Sequence, residues 1–177
     1  MYGMIHRGMR QMLVDEEGEA AWLAIERDLD IGPQHLISAD SYDDHLTIRI
    51  VEHVARQSGK TMDECLHSFG KYWIGFAERG PYGAMMQFTG RDIAEFIANL
   101  DRMHQAIRTA LPAATTPTFA LLHSEAGMLR IAYCSTREGL KPFVRGLLEG
   151  LLDRFGHDGI VTEITGNSNA VEFELRY

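Results

Sequence analysis

The stretch that decides the fold is Pro117–Arg137, PTFALLHSEAGMLRIAYCSTR. Before it, apolar residues recur at helical spacing. From Phe119 onward they come in short runs, and Gly127 marks a turn between two of them. Phe119–His123 and Met128–Ser135 therefore read as the two strands of a hairpin. A second hairpin follows, Ile160–Thr165 and Ala170–Tyr177, around the turn Gly166–Asn169. There Val171, Phe173, Leu175 and Tyr177 alternate with Glu172, Glu174 and Arg176, the pattern of a strand with one buried face and one wet face.

Between the hairpins, Gly139–Phe155 returns to helical period, with Phe143, Leu147 and Leu151 on one row and Val144, Leu148, Leu152 and Phe155 on the next. Gly156 can end that helix. Upstream the chain is helical throughout. Ile5, Met9, Met12 and Leu13 mark a helix over Gly3–Asp15, and a second covers Glu17–Leu29 until Gly32-Pro33 breaks it. A third begins near Ser41–Asp44, buries Leu46, Ile50 and Val54, and stops at Ser58-Gly59. Thr61 and Glu64 form a capping box that opens a helix carrying Met62, Cys65, Leu66, Phe69, Trp73 and Phe76. Gly80–Gly83 is a turn, and another helix runs from about Arg91 to Ala110. Helices first, then strands with one covering helix, predict an α+β fold.

The chain has 177 residues, 45% apolar and 24% charged, which is ordinary for a folded domain. Its net charge of −8 argues against nucleic acid or an anionic membrane surface as a partner. Only Lys60, Lys71 and Lys141 are lysines. The other fourteen basic residues are arginines, which suit bidentate carboxylate contacts and equally fit a compositional bias of the source. Two cysteines, Cys65 and Cys134, give neither a disulfide framework nor a CxxC pair, so a cysteine zinc site and covalent CxxCH haem attachment are excluded. Arg7, Arg10 and Gln11 interrupt any signal-peptide run, and no stretch approaches a membrane span. A soluble, cytoplasmic protein is expected.

Of the eight histidines, His6, His35, His45, His53, His67, His123 and His157 lie in polar or mixed surroundings that suit surface or structural roles. His104 differs. Its helix carries Ile93, Phe96, Ile97, Leu100, Met103, Ile107 and Leu111 on one face, and His104 stands four after Leu100 and three before Ile107. A buried imidazole needs a partner. No second His, Cys or carboxylate stands four residues away on that face, as a closed zinc site would want. A lone histidine in an apolar pocket suits haem iron, whose porphyrin supplies four donors. Further on, strand period puts Tyr133, Ser135 and Arg137 on one face, two hydroxyls and a guanidinium that could hold an anion with several oxygens, such as a pair of carboxylates. The plain alternative is a solvated strand face.

Taken in order, four segments resemble a known family. Met1-Tyr-Gly3-Met-Ile5 is similar to the M-x-G-x-I start of H-NOX (haem nitric oxide/oxygen binding) domains, and Phe69-Gly-Lys-Tyr-Trp73 to their F-G-x-Y-W segment. Asn99–His104 resembles the approach to their proximal histidine, and Tyr133-x-Ser135-x-Arg137 their Y-x-S-x-R motif. The resemblance covers the whole chain and matches a stand-alone bacterial member. It implies a helical N-terminal subdomain (about 1–60) packed on a haem-cradling α+β subdomain (about 61–177), with a four-stranded antiparallel sheet and covering helices and the haem between the two.

The resemblance implies His104 as the proximal ligand of a non-covalent haem b, with Tyr133, Ser135 and Arg137 on the propionates. Pro117 and Ile5 match residues that press on the porphyrin. Met9, Trp73 and Leu147 are assigned to an apolar distal wall. Oxygen-binding members carry a distal tyrosine five residues after the motif arginine, where this chain has Pro142, which has no side-chain donor. Bound O₂ needs that hydrogen bond and NO does not, so the expected ligands are NO and CO. Tyr72 or Trp73 could supply a donor, and an O₂-binding protein is then the alternative. By resemblance, NO binding releases His104, and a separate histidine kinase or diguanylate cyclase reads the helix movement. Some relatives hold zinc through several C-terminal cysteines. None follows Cys134 here, so no zinc is expected.

Two other classes remain at this point. A haem enzyme such as a peroxidase would need a distal acid–base, and His6 neighbours Ile5 but is turned away from it along the helix. A haem-free module of the same fold would use Arg137 for another anion.

Overall fold

Both expected hairpins pair into one antiparallel sheet in the order β1-β2-β4-β3, built from β1 (Thr118–Glu125), β2 (Met128–Cys134), β3 (Ile160–Ile164) and β4 (Val171–Arg176). β1 pairs with β2 from Thr118 opposite Cys134 to Glu125 opposite Met128, with a bulge between Leu121 and His123. β2 pairs with β4, which places the second hairpin against the inner strand of the first. This is a computed structural model, and it describes residues 1–111, 115–164 and 170–177. The expected turn at Gly166–Asn169 and the start of the expected loop at Pro112 lie outside those residues.

Seven α-helices accompany the sheet among the described residues: α1 (Gly3–Glu17), α2 (Glu19–Leu29), α3 (Asp44–Ser58), α4 (Met62–Arg79), α5 (Gly83–Thr89), α6 (Ile93–Ala110) and α7 (Lys141–Arg154). The fold is α+β. The chain divides into two compact units, Met1–Phe69 and Gly70–Tyr177, with the division inside α4.

The first unit is helical. Its core gathers Met9 and Leu13 from α1, Trp22 and Ile25 from α2, Ile31, and Ile50, Val51 and Ala55 from α3. The Trp22 indole donates to Glu26 at 2.7 Å one turn on, so the largest buried ring keeps its polar partner. The buried face of α3 is rotated from the expected one. Thr47, Ile50, Val51, His53 and Ala55 are buried, while Leu46 and Val54 are half-buried. A 3₁₀ turn, Pro33–Leu36, follows the Gly32-Pro33 break. The capping box at α4 is present, with Glu64 N–H donating to Thr61 Oγ1 at 3.2 Å and Thr61 N–H to Glu64 Oε2 at 2.7 Å.

In the second unit, α6 and α7 bury their apolar rows against the inner sheet face. Phe96, Ile97 and Leu100 from α6 and Val144, Leu148, Leu151 and Leu152 from α7 share one core with Phe119, Leu129, Ile131, Val161, Phe173 and Leu175. Gly156, at φ +72, turns the chain out of α7 in a conformation that favours glycine. Helix α5, seven residues long, was not expected, because its GAMMQFT sequence carries no helical apolar period. Its place is fixed by contacts. Met86 is buried, and the Thr89 carbonyl accepts from Asn99 Nδ2 at 2.9 Å.

Helices α4 and α7 approach each other through glycine. A Cβ on Gly70 would overlap the Phe143 carbonyl oxygen, and one on Gly150 would stand 2.9 Å from the Lys71 carbonyl oxygen. Backbone cannot yield as a side chain can, so Gly70→Ala should cost about 1–3 kcal/mol. Gly75→Ala, whose nearest neighbour is the mobile tip of Arg79, should gain about 0.5–1 kcal/mol of helix propensity. Urea unfolding of the two variants checks this. Equal midpoints would disprove the glycine contact.

Candidate functional site

His104 lies in the last two turns of α6, below a helix row buried as expected at Ile93, Phe96, Ile97 and Leu100. The ring is half-buried, and its Nδ1 stands 3.1 Å from the Pro117 carbonyl oxygen. A carbonyl only accepts, so Nδ1 carries the proton and Nε2 is the nitrogen with the lone pair. Burial holds the pKa below the ordinary histidine value, against the opposing pull of the Pro117 carbonyl and the Asp101 charge. At neutral pH the imidazole is therefore uncharged, the form a metal takes.

Rings connect His104 to the sheet. His104 and Phe119 have centroids 5.9 Å apart, and Phe119 and Tyr133 5.3 Å. Tyr133 is buried near the end of β2. Burial raises its pKa, while the Ser135 hydroxyl and the Arg137 charge act to lower it. The strand ends at Cys134, earlier than the sequence suggests, yet the alternation persists. Tyr133, Ser135 and Arg137 are buried or half-buried, and Cys134 and Thr136 are exposed. Ser135 Oγ accepts the Arg137 N–H at 3.0 Å, and Arg137 Nη1 donates to the Thr115 carbonyl at 2.7 Å. The guanidinium and the imidazole are thus tied to one short segment, Thr115–Pro117.

Pro117 is half-buried ahead of β1. Trp73 on α4 and Leu147 on α7 are partly buried and pack on the core of the second unit, and Trp73 and Phe76 rings stand 5.5 Å apart. Ile5 and Met9 belong to the first unit, on α1. Ile5 is half-buried, and Met9 is buried in an apolar cleft with Leu13, Ile50, Val51 and Phe69. Pro142 opens α7.

Sequence reading passed over Asp101 and Arg108. Both share His104's side of α6, three residues before it and four after, and that spacing was visible. Asp101 accepts the Phe119 N–H at 2.8 Å, and Arg108 donates to the Thr116 hydroxyl.

His6 is fully buried. Its Nδ1 donates to the His35 carbonyl at 3.0 Å, and its Nε2 pairs with the Thr47 hydroxyl at 2.9 Å. Both nitrogens are engaged, so His6 joins helices rather than serving as an acid–base. Among the described residues no three His, Cys, Asp or Glu side chains come together as a metal-binding group. An iron at His104 would therefore need its other donors from the cofactor itself. An uncharged imidazole with a fixed tautomer, beside two hydroxyls and a guanidinium, fits a metal macrocycle that carries carboxylates.

Comparison with known proteins gives that chemistry a family. The chain matches the haem-NO-binding family over residues 2–163, and it belongs to that family. Soluble guanylate cyclase 89Da of Drosophila melanogaster is 24% identical over 155 residues, 88% of this chain and 23% of the cyclase. Soluble guanylate cyclase gcy-35 of Caenorhabditis elegans is 26% identical over 171 residues, 93% of this chain and 24% of its own. This chain spans about a quarter of the length of these curated relatives. An H-NOX protein from S. oneidensis in its Fe(II)NO state matches with a TM-score of 0.86 at 19% identity, over 99% of this chain and 98% of that one, a likeness of fold. H-NOX domains bind haem and form a family of gas sensors, and the domain is a sensor rather than a catalyst. No helix among the described residues is long and apolar enough to cross a membrane.

Burial also lowers the His6 pKa. Below the ordinary histidine value the unfolded chain takes up a proton that folded His6 refuses, so stability is present above that value and lost as pH falls. The urea midpoint should drop as pH falls below about 6.5, the ordinary histidine value, and His6→Asn should flatten the drop. An unchanged slope in the variant would count against His6 as the buried neutral group.

Proposed function

We propose that this chain is a ferrous haem sensor of nitric oxide that also binds CO and excludes O₂, catalyses nothing itself, and passes its state to a separate signalling protein. The cofactor in this reading is haem b, held without a covalent link and without zinc, in a cytoplasmic protein whose 177 residues act as one domain. The observation that carries the reading is His104, whose proton is placed on Nδ1 by the Pro117 carbonyl, leaving Nε2 to face a metal.

When bound, the haem supplies a ferrous iron with affinity for diatomic gases. His104 holds the iron through Nε2. The Tyr133 phenol, kept protonated by burial, and the Ser135 hydroxyl and Arg137 guanidinium hold the carboxylates. Arg137 is anchored on Thr115 and His104 on Pro117, so the carboxylate contacts and the metal contact share one backbone segment. A change in how His104 is held therefore reaches α6 and β1 together, and a ligand that alters it can bias their arrangement. Preference for NO rests on Pro142, which offers no hydrogen-bond donor.

Substituting His104→Gly should remove haem retention unless imidazole is supplied, because exogenous imidazole restores the missing nitrogen. Arg137→Ala should lower haem occupancy about 10-fold while the domain stays folded. Absorption spectra of ferrous and CO-treated protein read both. A His104→Gly spectrum identical to wild type without imidazole would remove His104 as ligand, and full occupancy in Arg137→Ala would remove the carboxylate contact.

A further inference from the structure

Three side chains lace α6 to the segment that precedes and opens β1. Asp101 Oδ1 accepts from the Phe119 N–H at 2.8 Å, His104 Nδ1 donates to the Pro117 carbonyl at 3.1 Å, and Arg108 donates to the Thr116 hydroxyl. The order is antiparallel. As the helix advances from 101 to 108, the partner recedes from 119 to 116. Among the described residues β1 is an edge strand, so its outward N–H and C=O groups face no neighbouring strand there. Groups two residues apart in extended chain point the same way, which aims the Pro117 carbonyl and the Phe119 amide at α6 together. Asp101 and His104 stand where a fifth strand would pair.

The three bonds are not equivalent. Arg108 reaches a hydroxyl that rotates, and its guanidinium also engages Gln105 Oε1. His104 donates to the carbonyl whose position is in question. Of the three, Asp101 grips the β1 backbone with a carboxylate acceptor, two residues from that carbonyl, in a charge-assisted bond of the stronger kind.

We propose that Asp101 is a positioning residue for the haem ligand. By holding the Phe119 amide it fixes where the Pro117 carbonyl stands, and so fixes the plane of the His104 imidazole and the direction of its Nε2 lone pair. This inference rests on His104 being the iron ligand. The hydrogen bond on the far nitrogen of a ligating histidine sets ring orientation and donor strength, and loss of such support commonly costs 10–100-fold in metal affinity.

The test compares wild type, Asp101→Ala, Asp101→Asn and Asp101→Glu, each purified with haem. It reads the iron–histidine stretching band of the ferrous protein by resonance Raman and the rate of haem transfer to apomyoglobin. Asp101→Ala should broaden the band, move it to lower frequency and speed haem loss about 10-fold. Asp101→Asn keeps the oxygen acceptor in place and should restore band width and retention. Asp101→Glu keeps the charge but displaces the acceptor by one methylene, so it should shift the band while remaining folded. A band and a transfer rate unchanged in both Ala and Glu variants would overturn the positioning role alone. If Asp101→Ala does not fold, an unshifted Asp101→Glu band overturns it. A wild type with no iron–histidine band would overturn the His104 assignment and this inference with it.

Discussion

The hydrogen bond from His104 Nδ1 to the Pro117 carbonyl is the constraint around which the site is built. It decides the tautomer, and so decides which nitrogen can meet a metal. It also demands that the end of α6 and the start of β1 lie side by side, although thirteen positions separate the two residues. The remainder of the second unit supplies that adjacency. Phe96, Ile97 and Leu100 sink α6 into the core under the sheet, and Asp101 closes the β1 edge. Arg137 reaches back from beyond β2 to the Thr115 carbonyl, so the two hairpin strands deliver the guanidinium to the segment that holds the imidazole.

Much of this was legible in the sequence because burial writes a period. The change from helical spacing to short apolar runs at Phe119 gave the α+β class, and both expected hairpins pair in the sheet. The capping box at Thr61 and the helix stop at Gly156 are local signals whose physics does not depend on the rest of the chain, and both are present. What escaped had no periodic signature. Helix α5 is short and is held by Met86 and by the Asn99 bond to Thr89, partners that no window of sequence joins. The α3 face was displaced because Thr47 and His53 are buried with the aliphatic residues, and polarity alone placed them outside.

At the site, His104 stood out because an imidazole interrupts an apolar helix face, and Tyr133, Ser135 and Arg137 because strand period aligns them. The Pro117 carbonyl could not be found by side-chain reasoning, since the acceptor is backbone. Asp101 could have been. Its spacing from His104 is that of a neighbour on the helix surface, but it engages a backbone amide eighteen positions away rather than the histidine. Sequence patterns find residues that share an element. Bonds between a side chain and a distant backbone group become visible only when the elements are assembled.

The proposal of a nitric oxide sensor stands on one further physical distinction. NO binds ferrous haem strongly without help, whereas bound O₂ draws on a nearby donor, and Pro142 cannot be one. The most direct measurement is the absorption spectrum of the purified protein, reduced without oxygen and then exposed separately to NO, CO and air. New spectra with NO and with CO, and no stable complex in air, are expected. A stable oxygen complex would contradict the selectivity, and a protein that takes up no haem when haem is supplied would contradict the sensor reading altogether.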